Sequence, residues 1–287
     1  MNNNFQSDLV DKGFCVFKNA FLPEELDAFR QTSNFALKNI PKSHRIRNKS
    51  QGSLILIANY PEFASLIANP VLSKIFNKLG FTDTCFSSGY IISKPEKGPA
   101  LFWHQDWWGW DNPISYTEQI AQVFVMIYLQ DTKKVNGCLR VLPGSHKTPH
   151  WLHKSKKAHT ESISKVDNPE DPLYQSVDGE HAVEVQYGDV VVGDARLIHG
   201  TFPNSLNDER SLITLWFHPN YSKLPAPLQV RIHEIFTRKG VDTDPDGLNA
   251  MTLYDWPEKN KSLVEPIFPS CPVDEIAEEW NRNPKWE

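Results

Sequence analysis

The sequence predicts a mainly β protein with flanking helices, folded as a double-sheet jelly roll. Roughly eight short strands follow one another between about residues 84 and 220, after a helical opening. The segments between them are rich in Gly, Pro, Asn and Asp, and the chain holds 21 Pro against 14 Gly. Because 287 residues can form one large domain of this kind, we expect a single domain over residues 1–287.

The first 80 residues are predicted to form a mostly helical preface. Phe14 to Phe17 is β-prone, and Leu22 precedes a helix whose first turn holds Pro and two Glu. Apolar residues at helical spacing predict two further short helices, over 61–66 and 70–79.

The jelly-roll core is predicted over about 84–220, where apolar spacing changes to that of strands. The predicted strands span 86–93, 101–106, 122–129, 138–142, 183–185, 189–192, 197–201 and 211–217. Residues 146–180 are polar, rich in Lys and His, and too long for an ordinary connection, so we expect an insertion or lid there. A C-terminal extension follows over 221–287, with a last helix predicted over 273–280.

Composition and charge limit the possible partners. The formal net charge of −5 argues against nucleic acid, whose phosphates would require a basic face. The chain has no apolar stretch of the roughly 18 residues that a membrane span needs, and its first residues do not resemble a secretory signal. Its four widely separated cysteines are typical of reduced thiols. We expect a soluble, cytoplasmic protein that binds a small molecule, of open oligomeric state, with no nucleic-acid or membrane partner.

The strand ending at residue 106 carries the first candidate metal site. Side chains alternate along a strand, so His104 and Asp106 project to the same side and can meet one metal ion. A second His from a distant strand would complete the two-His, one-carboxylate face that binds non-haem iron(II) and leaves positions for a bidentate cosubstrate and oxygen.

The His-x-acid pattern is weak evidence when taken alone. About one such triplet is expected by chance at this composition, and a second, at 159–161, lies among lysines that favour a solvated loop. A carboxylate in an aromatic strand needs a partner to offset its burial. The pattern alone therefore leaves a ligand pair and a structural pair about equally favoured.

Residues 193–210 offer a third ligand and an anchor for a cosubstrate. His199 lies on a predicted strand, and Thr201, two residues further, faces the same way. Arg210 suits the distal carboxylate of a diacid cosubstrate, because its planar fork can donate two parallel hydrogen bonds. The alternatives are a core histidine satisfied by backbone and a surface charge at the start of a strand.

Three motifs in matching order resemble those of the phytanoyl-CoA dioxygenase family. The first is 104–106, preceded by a Trp and by the Lys-Pro pair 94–95. The second, 136–146, reads Asn-Gly-Cys-Leu through to Pro-Gly-Ser-His, and the third, 193–210, holds a His and an Arg eleven positions apart. The resemblance spans about residues 8–220. It implies a double-stranded β-helix (a cupin-like jelly roll) with iron(II), 2-oxoglutarate and molecular oxygen.

The resemblance also implies roles for single residues. His104, Asp106 and His199 match the family's iron ligands, and Arg210 and Thr201 match its 2-oxoglutarate anchors. The single domain is then catalytic. It oxidises a small organic metabolite while 2-oxoglutarate becomes succinate and CO2. Hydroxylation is the default outcome, with hydroxylation-driven dealkylation or desaturation as variants of the same first step.

Candidates for substrate binding follow from position and chemistry. Trp107, Trp108 and Trp110 come directly after the iron strand, and an aromatic wall suits a flat or cationic molecule. A buried core cluster is the equally weighted alternative. Arg140 and Arg196 are candidates for a carboxylate on the substrate. Arg196, however, lies three residues before the distal His and would point to the opposite face of a regular strand.

Two other function classes remain open. A non-catalytic cupin-like binding protein would keep the fold, but would need neither an intact ligand triad nor Arg210. A zinc hydrolase would use the His-rich stretch 146–159, where Pro149 interrupts helical pairing and no acidic base is suitably spaced. Metal analysis combined with an assay of succinate release separates these classes from a dioxygenase.

Overall fold

The computed structural model describes residues 4–237, 251–272 and 274–286. Within these ranges ten strands form two antiparallel sheets. The strands are β1 (Phe14–Phe17), β2 (Ile55–Leu56), β3 (Cys85–Lys94), β4 (Leu101–His104), β5 (Val123–Tyr128), β6 (Leu139–Val141), β7 (His181–Val183), β8 (Val190–Asp194), β9 (His199–Thr201) and β10 (Arg210–His218). The large sheet has the order β1-β8-β5-β10-β3-β2, and the small sheet has the order β4-β9-β6-β7.

Helices occupy the two ends of the chain and the insertion. The α-helices are α1 (Phe5–Lys12), α2 (Pro23–Asn39), α3 (Lys42–Arg47), α4 (Ala64–Ile67), α5 (Pro70–Lys78), α6 (Glu161–Lys165), α7 (Ala226–Thr237) and α8 (Glu258–Val264). Single turns of 3-10 helix lie at Ile57–Asn59, Pro61–Phe63, Pro113–Tyr116, Trp151–Lys154, Pro172–Tyr174, Tyr221–Lys223, Leu253–Asp255 and Glu265–Ile267. None of the helices in the described ranges is both long enough and apolar enough to cross a bilayer.

The alternation of side chains along the large sheet separates two apolar layers. On β5, Val123, Val125 and Ile127 join a cluster with the helices of the preface, such as Leu26 and Leu72. The intervening residues of β5 face the other way, towards the small sheet. This second cluster is formed by Phe124, Met126 and Tyr128 with Leu139, Val141 and Val183. The order is therefore helices, large sheet, small sheet, and the functional candidates lie between the two sheets.

Most predicted elements are found close to their expected bounds. All eight strands predicted for the core are present, although β7 begins two residues before the predicted 183–185 and β4 ends at His104. The structure adds the short strand β2 and helices α1, α3, α6 and α8. The helical preface is not separate from the jelly-roll core, because its strand β1 pairs with β8 and so belongs to the large sheet.

The predicted last helix is wrong over the residues that can be compared. Val273 lies outside the described residues, and residues 274–280 are not helical. Their backbone is bonded to other segments instead: the Glu278 amide donates to the Pro227 carbonyl at 2.9 Å, and the Asn281 amide donates to Trp108 at 2.8 Å. Tertiary hydrogen bonds replace those of a helix and lead this segment across the core.

The insertion over 146–180 packs as a small layer on the small sheet. Leu152, Ile163 and Leu173 form a cluster with Phe102 and Trp103 of β4. Apolar burial therefore holds this segment against the strand that carries His104.

Candidate active site

His104, Asp106 and His199 come together at the end of the small sheet. β4 and β9 pair so that His104 lies opposite His199, and the amide of Asp106 donates to the Ala195 carbonyl at 2.9 Å. One ligand atom from each of the three side chains lies within 4.8 Å of the others. His104 Nε2 is 3.5 Å from one Asp106 oxygen, and His199 Nε2 is 3.7 Å from the other.

Local hydrogen bonds orient both imidazoles towards the carboxylate. His104 Nδ1 is 2.9 Å from the Phe102 carbonyl, and His199 Nδ1 is 3.0 Å from the Leu197 carbonyl. Since a carbonyl only accepts, each Nδ1 carries the proton and each Nε2 keeps its lone pair. Burial, and next the neighbouring His199, lower the pKa of His104 to about 3, so this ring is neutral near pH 7. The Trp216 indole holds Asp106 by donating to its Oδ2 at 2.9 Å.

The donor set fits iron(II). Two neutral imidazole nitrogens and one carboxylate oxygen on one face are typical of non-haem iron sites with open positions. The remaining polar atoms of both imidazoles are engaged by backbone, which is the usual support for metal ligands.

A cavity of about 400 Å³ extends from these three residues between the sheets. We call the part around Arg210 its cosubstrate end. Arg210 is 1% exposed and donates from one Nη to the Gly137 carbonyl, while its Nε and other Nη have no protein partner in the described ranges. The hydroxyls of Thr201 and Thr214, which line the same cavity, also lack a partner there. Buried donors without acceptors are costly, so this end fits a ligand rich in acceptor oxygens.

The electrostatics of the cosubstrate end favour an anion. Lys94 is buried beside Arg210 and donates to the carbonyls of Ser50 (2.6 Å) and Pro99 (2.8 Å). Burial, and next the Arg210 charge, hold the pKa of Lys94 well below its ordinary value. Asp106 is the single acidic residue among the described residues that line the cavity. A dicarboxylate such as 2-oxoglutarate would supply the missing negative charge.

The C-terminal segment 278–286, which we call the strap, contributes to the other part of the cavity. This part, the strap end, is lined by Trp108, His159, Trp280 and Arg282. The rings of Trp108 and Trp280 stack, with centroids 5.4 Å apart and planes inclined by 14°. His159 is exposed, as expected for a loop, but its ring lies edge-on to His104 with centroids 5.0 Å apart. The solvated-loop interpretation of 159–161 therefore missed a pocket residue.

Of the five substrate candidates, Trp108 alone lines the cavity. All three Trp side chains belong to a buried cluster with Ile114 and Leu228, as the core alternative predicted.

Arg140 and Arg196 are held by other partners. The Arg140 guanidinium lies over the Trp103 ring at 4.2 Å and donates to the carbonyls of Leu101, Tyr174 and Gln175. Arg196 forms a buried ion pair with Asp194 at 2.7 Å. Neither lines the cavity. Arg140 fastens the insertion to the small sheet. Arg196 lies in the turn between β8 and β9, not on a strand, and its ion pair with Asp194 holds it away from the site.

Sequence reasoning missed Trp216, His159, Trp280 and Arg282. A signal for Trp216 was present, because Arg210, residue 212, residue 214 and Trp216 alternate onto one face of β10, and the register shift comes only after Trp216. Arg282 lies far along the chain in an irregular segment, where no periodicity marks it.

Comparison with known proteins identifies the family. The sequence profile described as Phytanoyl-CoA dioxygenase (PhyH) matches residues 9–212, more than half of the chain. A curated relative from Oryza sativa subsp. japonica, Phytanoyl-CoA dioxygenase 1, is 30% identical over 156 residues, covering 54% of this chain and 52% of the relative. The chain thus spans about half the length of that rice relative.

Two further likenesses extend the comparison. A protein of Stutzerimonas stutzeri named "Probable alpha-ketoglutarate-dependent hypophosphite dioxygenase" is 28% identical over 234 residues, 74% of this chain and 77% of that one. The crystal structure of HygX from Streptomyces hygroscopicus, with nickel and 2-oxoglutarate bound, has a TM-score of 0.57 at 19% identity, covering 77% of this chain and 88% of HygX. At that identity the likeness shows the fold, and it confirms the predicted jelly roll. The family predicted from the three motifs is confirmed as well: this chain belongs to the phytanoyl-CoA dioxygenase family.

Proposed function

We propose that this protein is an iron(II)- and 2-oxoglutarate-dependent dioxygenase that oxidises a small organic metabolite and releases succinate and CO2. One observation carries the proposal. The His104, Asp106 and His199 ligand atoms share a single cavity with Arg210, a buried cation whose Nε and one Nη have no protein acceptor in the described ranges. A metal site alone would not require that cation, whereas a chelating diacid would.

Each group has a defined task in this proposal. His104, Asp106 and His199 hold the metal, and Arg210 with Thr201 holds the distal carboxylate of 2-oxoglutarate. Iron bound here supplies the activation of oxygen that the oxidation requires. The apolar walls between the sheets exclude water, which strengthens the charge-assisted hydrogen bonds at Arg210. Hydroxylation is the default outcome. Dealkylation or desaturation would share its first step, the removal of a hydrogen atom from the substrate.

The alternatives have less support. In the described parts of the chain, His104, Asp106 and His199 form the one group of three or more potential ligands close enough to hold a metal. The His-rich stretch 146–159 does not converge; His146 Nε2, for example, lies 2.9 Å from the Val10 carbonyl. This disfavours a zinc hydrolase. A cupin-like binding protein would leave the oriented triad and Arg210 without a purpose.

The proposed setting is a cytoplasmic, single-domain enzyme. All four cysteines are free thiols, three of them buried, which suits a reducing compartment. The proposed catalytic domain is the whole chain, with the site in the jelly-roll core and the insertion and C-terminal extension around it.

The test is metal and cosubstrate dependence. The protein is purified without oxygen, loaded with iron(II), and assayed for succinate from 2-oxoglutarate across a metabolite panel. We expect one iron per chain and succinate release that requires iron, oxygen and 2-oxoglutarate together. Stable iron binding without 2-oxoglutarate affinity or succinate release would instead favour the binding-protein alternative.

A further inference from the structure

The C-terminal strap, residues 278–286, contributes Trp280 and Arg282 to the lining of the cavity. Its backbone is fixed at Asn281, whose amide donates to Trp108 at 2.8 Å and whose carbonyl accepts from the Trp110 amide at 3.2 Å. The Gln105 side chain donates to the Arg282 carbonyl at 2.7 Å, which ties the strap to the middle residue of the His-x-Asp motif. The strap lies outside the segment matched by the family, residues 9–212. It therefore adds groups of its own to a shared core.

The strap brings a positive charge to the substrate side of the triad. Arg282 Nη1 donates to the carbonyls of Gln105 (3.2 Å) and Asp106 (3.3 Å). Its guanidinium lies 5.0 Å from the centre of the Trp280 ring. Across the residues that the structure describes, Arg282 forms no ion pair, and its Nε and Nη2 reach no acceptor. The carboxylate that acts on this charge is that of Asp106, which the proposed function assigns to the metal. A half-buried guanidinium whose hydrogen bonds go to neutral groups is a natural site for an anion.

His159 packs next to this charge. Its Nε2 lies 3.1 Å from Arg282 Nη1 and 3.3 Å from the Gln105 carbonyl oxygen, so the ring contacts both the strap and the residue between the proposed metal ligands His104 and Asp106.

We propose that Arg282 binds an anionic oxyacid group of the substrate, a carboxylate or a phosphonate, at the strap end of the cavity, next to His159. Trp108 and Trp280 form the wall beside it. This inference rests on the proposed function, since it names the substrate class of the same site. It gives the enzyme two anion sites: Arg210 for the cosubstrate, at the start of β10, and Arg282 for the substrate, beside Asp106. The Arg282 charge disfavours the cationic substrate that an aromatic wall alone would permit.

The experiment compares anions with an uncharged analogue of similar shape. Phenylacetate, phenylphosphonate and uncharged phenylacetamide are titrated into the anaerobic iron(II) protein saturated with 2-oxoglutarate, with calorimetry as the readout. Saturating 2-oxoglutarate occupies Arg210, so any charge preference reports the strap end. We expect at least one anion to bind roughly ten- to a hundredfold more tightly than phenylacetamide, the range typical of a charge-assisted hydrogen bond. The anion that binds identifies the carboxylate or the phosphonate.

Two variants remove one positive charge each from the strap. In Arg282→Gln the preference for the anion should fall to about twofold or less, while phenylacetamide affinity is unchanged. Lys285→Gln is the matched control, because Lys285 is exposed and pairs with Asp111 at 2.8 Å, away from the cavity. It should keep the wild-type preference.

Three outcomes would overturn the proposal. The first is that the wild type shows no preference for an anion over phenylacetamide. The second is that this preference survives in Arg282→Gln. The third is that Arg282→Gln loses affinity for the anion and for phenylacetamide equally, which would mark a structural contact. The titration needs no turnover and is repeated on metal-free protein. A charge preference without iron-dependent succinate release would thus refute the proposed function and leave the anion site standing.

Discussion

At the scale of single residues, hydrogen bonds to their own strands orient His104 and His199, the proposed metal ligands. Each Nδ1 is engaged by the carbonyl two residues earlier, which directs Nε2 to Asp106. We expect His104→Ala, Asp106→Ala and His199→Ala to lose nearly all iron-dependent turnover, because two ligands bind far more weakly than three. Iron content after anaerobic loading and succinate release measure this. Thermal unfolding checks that the fold survives, and normal iron content and turnover in all three variants would refute the assignment.

Arg210 tests the cosubstrate assignment, since it is not a metal ligand. Its removal breaks charge-assisted hydrogen bonds and strands a carboxylate, at a cost of about 2–5 kcal/mol. Affinity for 2-oxoglutarate in Arg210→Ala should therefore fall by roughly thirtyfold to several thousandfold. Arg210→Lys should recover only part, because an ammonium cannot reproduce the two-pronged geometry. Calorimetry on the anaerobic iron(II) protein measures both, and equal affinities across the three proteins would contradict the assignment.

The adjacent Trp107 and Trp108 form a matched pair with different surroundings. Both are buried in one apolar cluster, but Trp107 donates to the Ser115 hydroxyl at 2.8 Å, whereas Trp108 also lines the cavity. Either Ala variant should lower the free energy of unfolding by about 3–5 kcal/mol. Trp108→Ala should in addition weaken substrate binding while iron and 2-oxoglutarate still bind. Urea unfolding and calorimetry separate these effects, and the reverse pattern would show that the roles are exchanged.

Sequence reasoning placed residues correctly where their partners are near in the chain. It missed most residues whose partners are distant. His104 and Asp106 share a face because of strand alternation, which is a local rule. Arg196 is an exception, because its partner, the buried Asp194 carboxylate, lies only two residues away. His159 contacts His104 across 55 positions, and only tertiary packing makes that contact visible.

At the scale of elements, strands were predicted better than the segments that cover them. The period of two identifies β5 and β10 because each divides its side chains between two apolar layers. The side chains of the strap are not divided between two apolar layers. The strap is held by backbone groups of Trp108 and Trp110, and backbone bonding leaves no pattern in the sequence. The wrong helix over 273–280 has the same origin.

The insertion depends on one buried cation. Arg140 is 2% exposed and holds carbonyls of Tyr174 and Gln175, with Glu180 3.6 Å away. Arg140→Met should cost about 3–5 kcal/mol, because it leaves a carboxylate and several carbonyls unpaired. Trypsin should then cut first at the lysines over 154–157, while 2-oxoglutarate affinity changes little. A selective loss of substrate affinity with unchanged stability would instead return Arg140 to the substrate site.

At the scale of the whole molecule, buried neutral histidines make the fold sensitive to acid. His218 is fully buried, and burial lowers its pKa to about 4. The unfolded chain, with a pKa near 6.5, binds this proton more readily, so stability falls as the pH drops from about 6.5 towards 4. His218 alone should cost about 2 kcal/mol at pH 5 relative to pH 7.5. Urea unfolding of metal-free protein at both pH values measures the loss. His218→Gln should reduce it, and an unchanged loss in that variant would show that other groups are responsible.

The cluster of buried cations at the cosubstrate end has a consequence for the lifetime of the protein. Without a dianion, Arg210 and Lys94 repel each other across a pocket whose described lining residues include no acid except the proposed metal ligand Asp106. Under the proposed function, 2-oxoglutarate is their counter-ion, and at a hundred times its Kd it would add about 2.7 kcal/mol to stability. Proteases cleave the opened population of a protein, which 2-oxoglutarate would shrink about a hundredfold. Where 2-oxoglutarate is scarce, this protein should therefore be cleaved faster as well as stand idle.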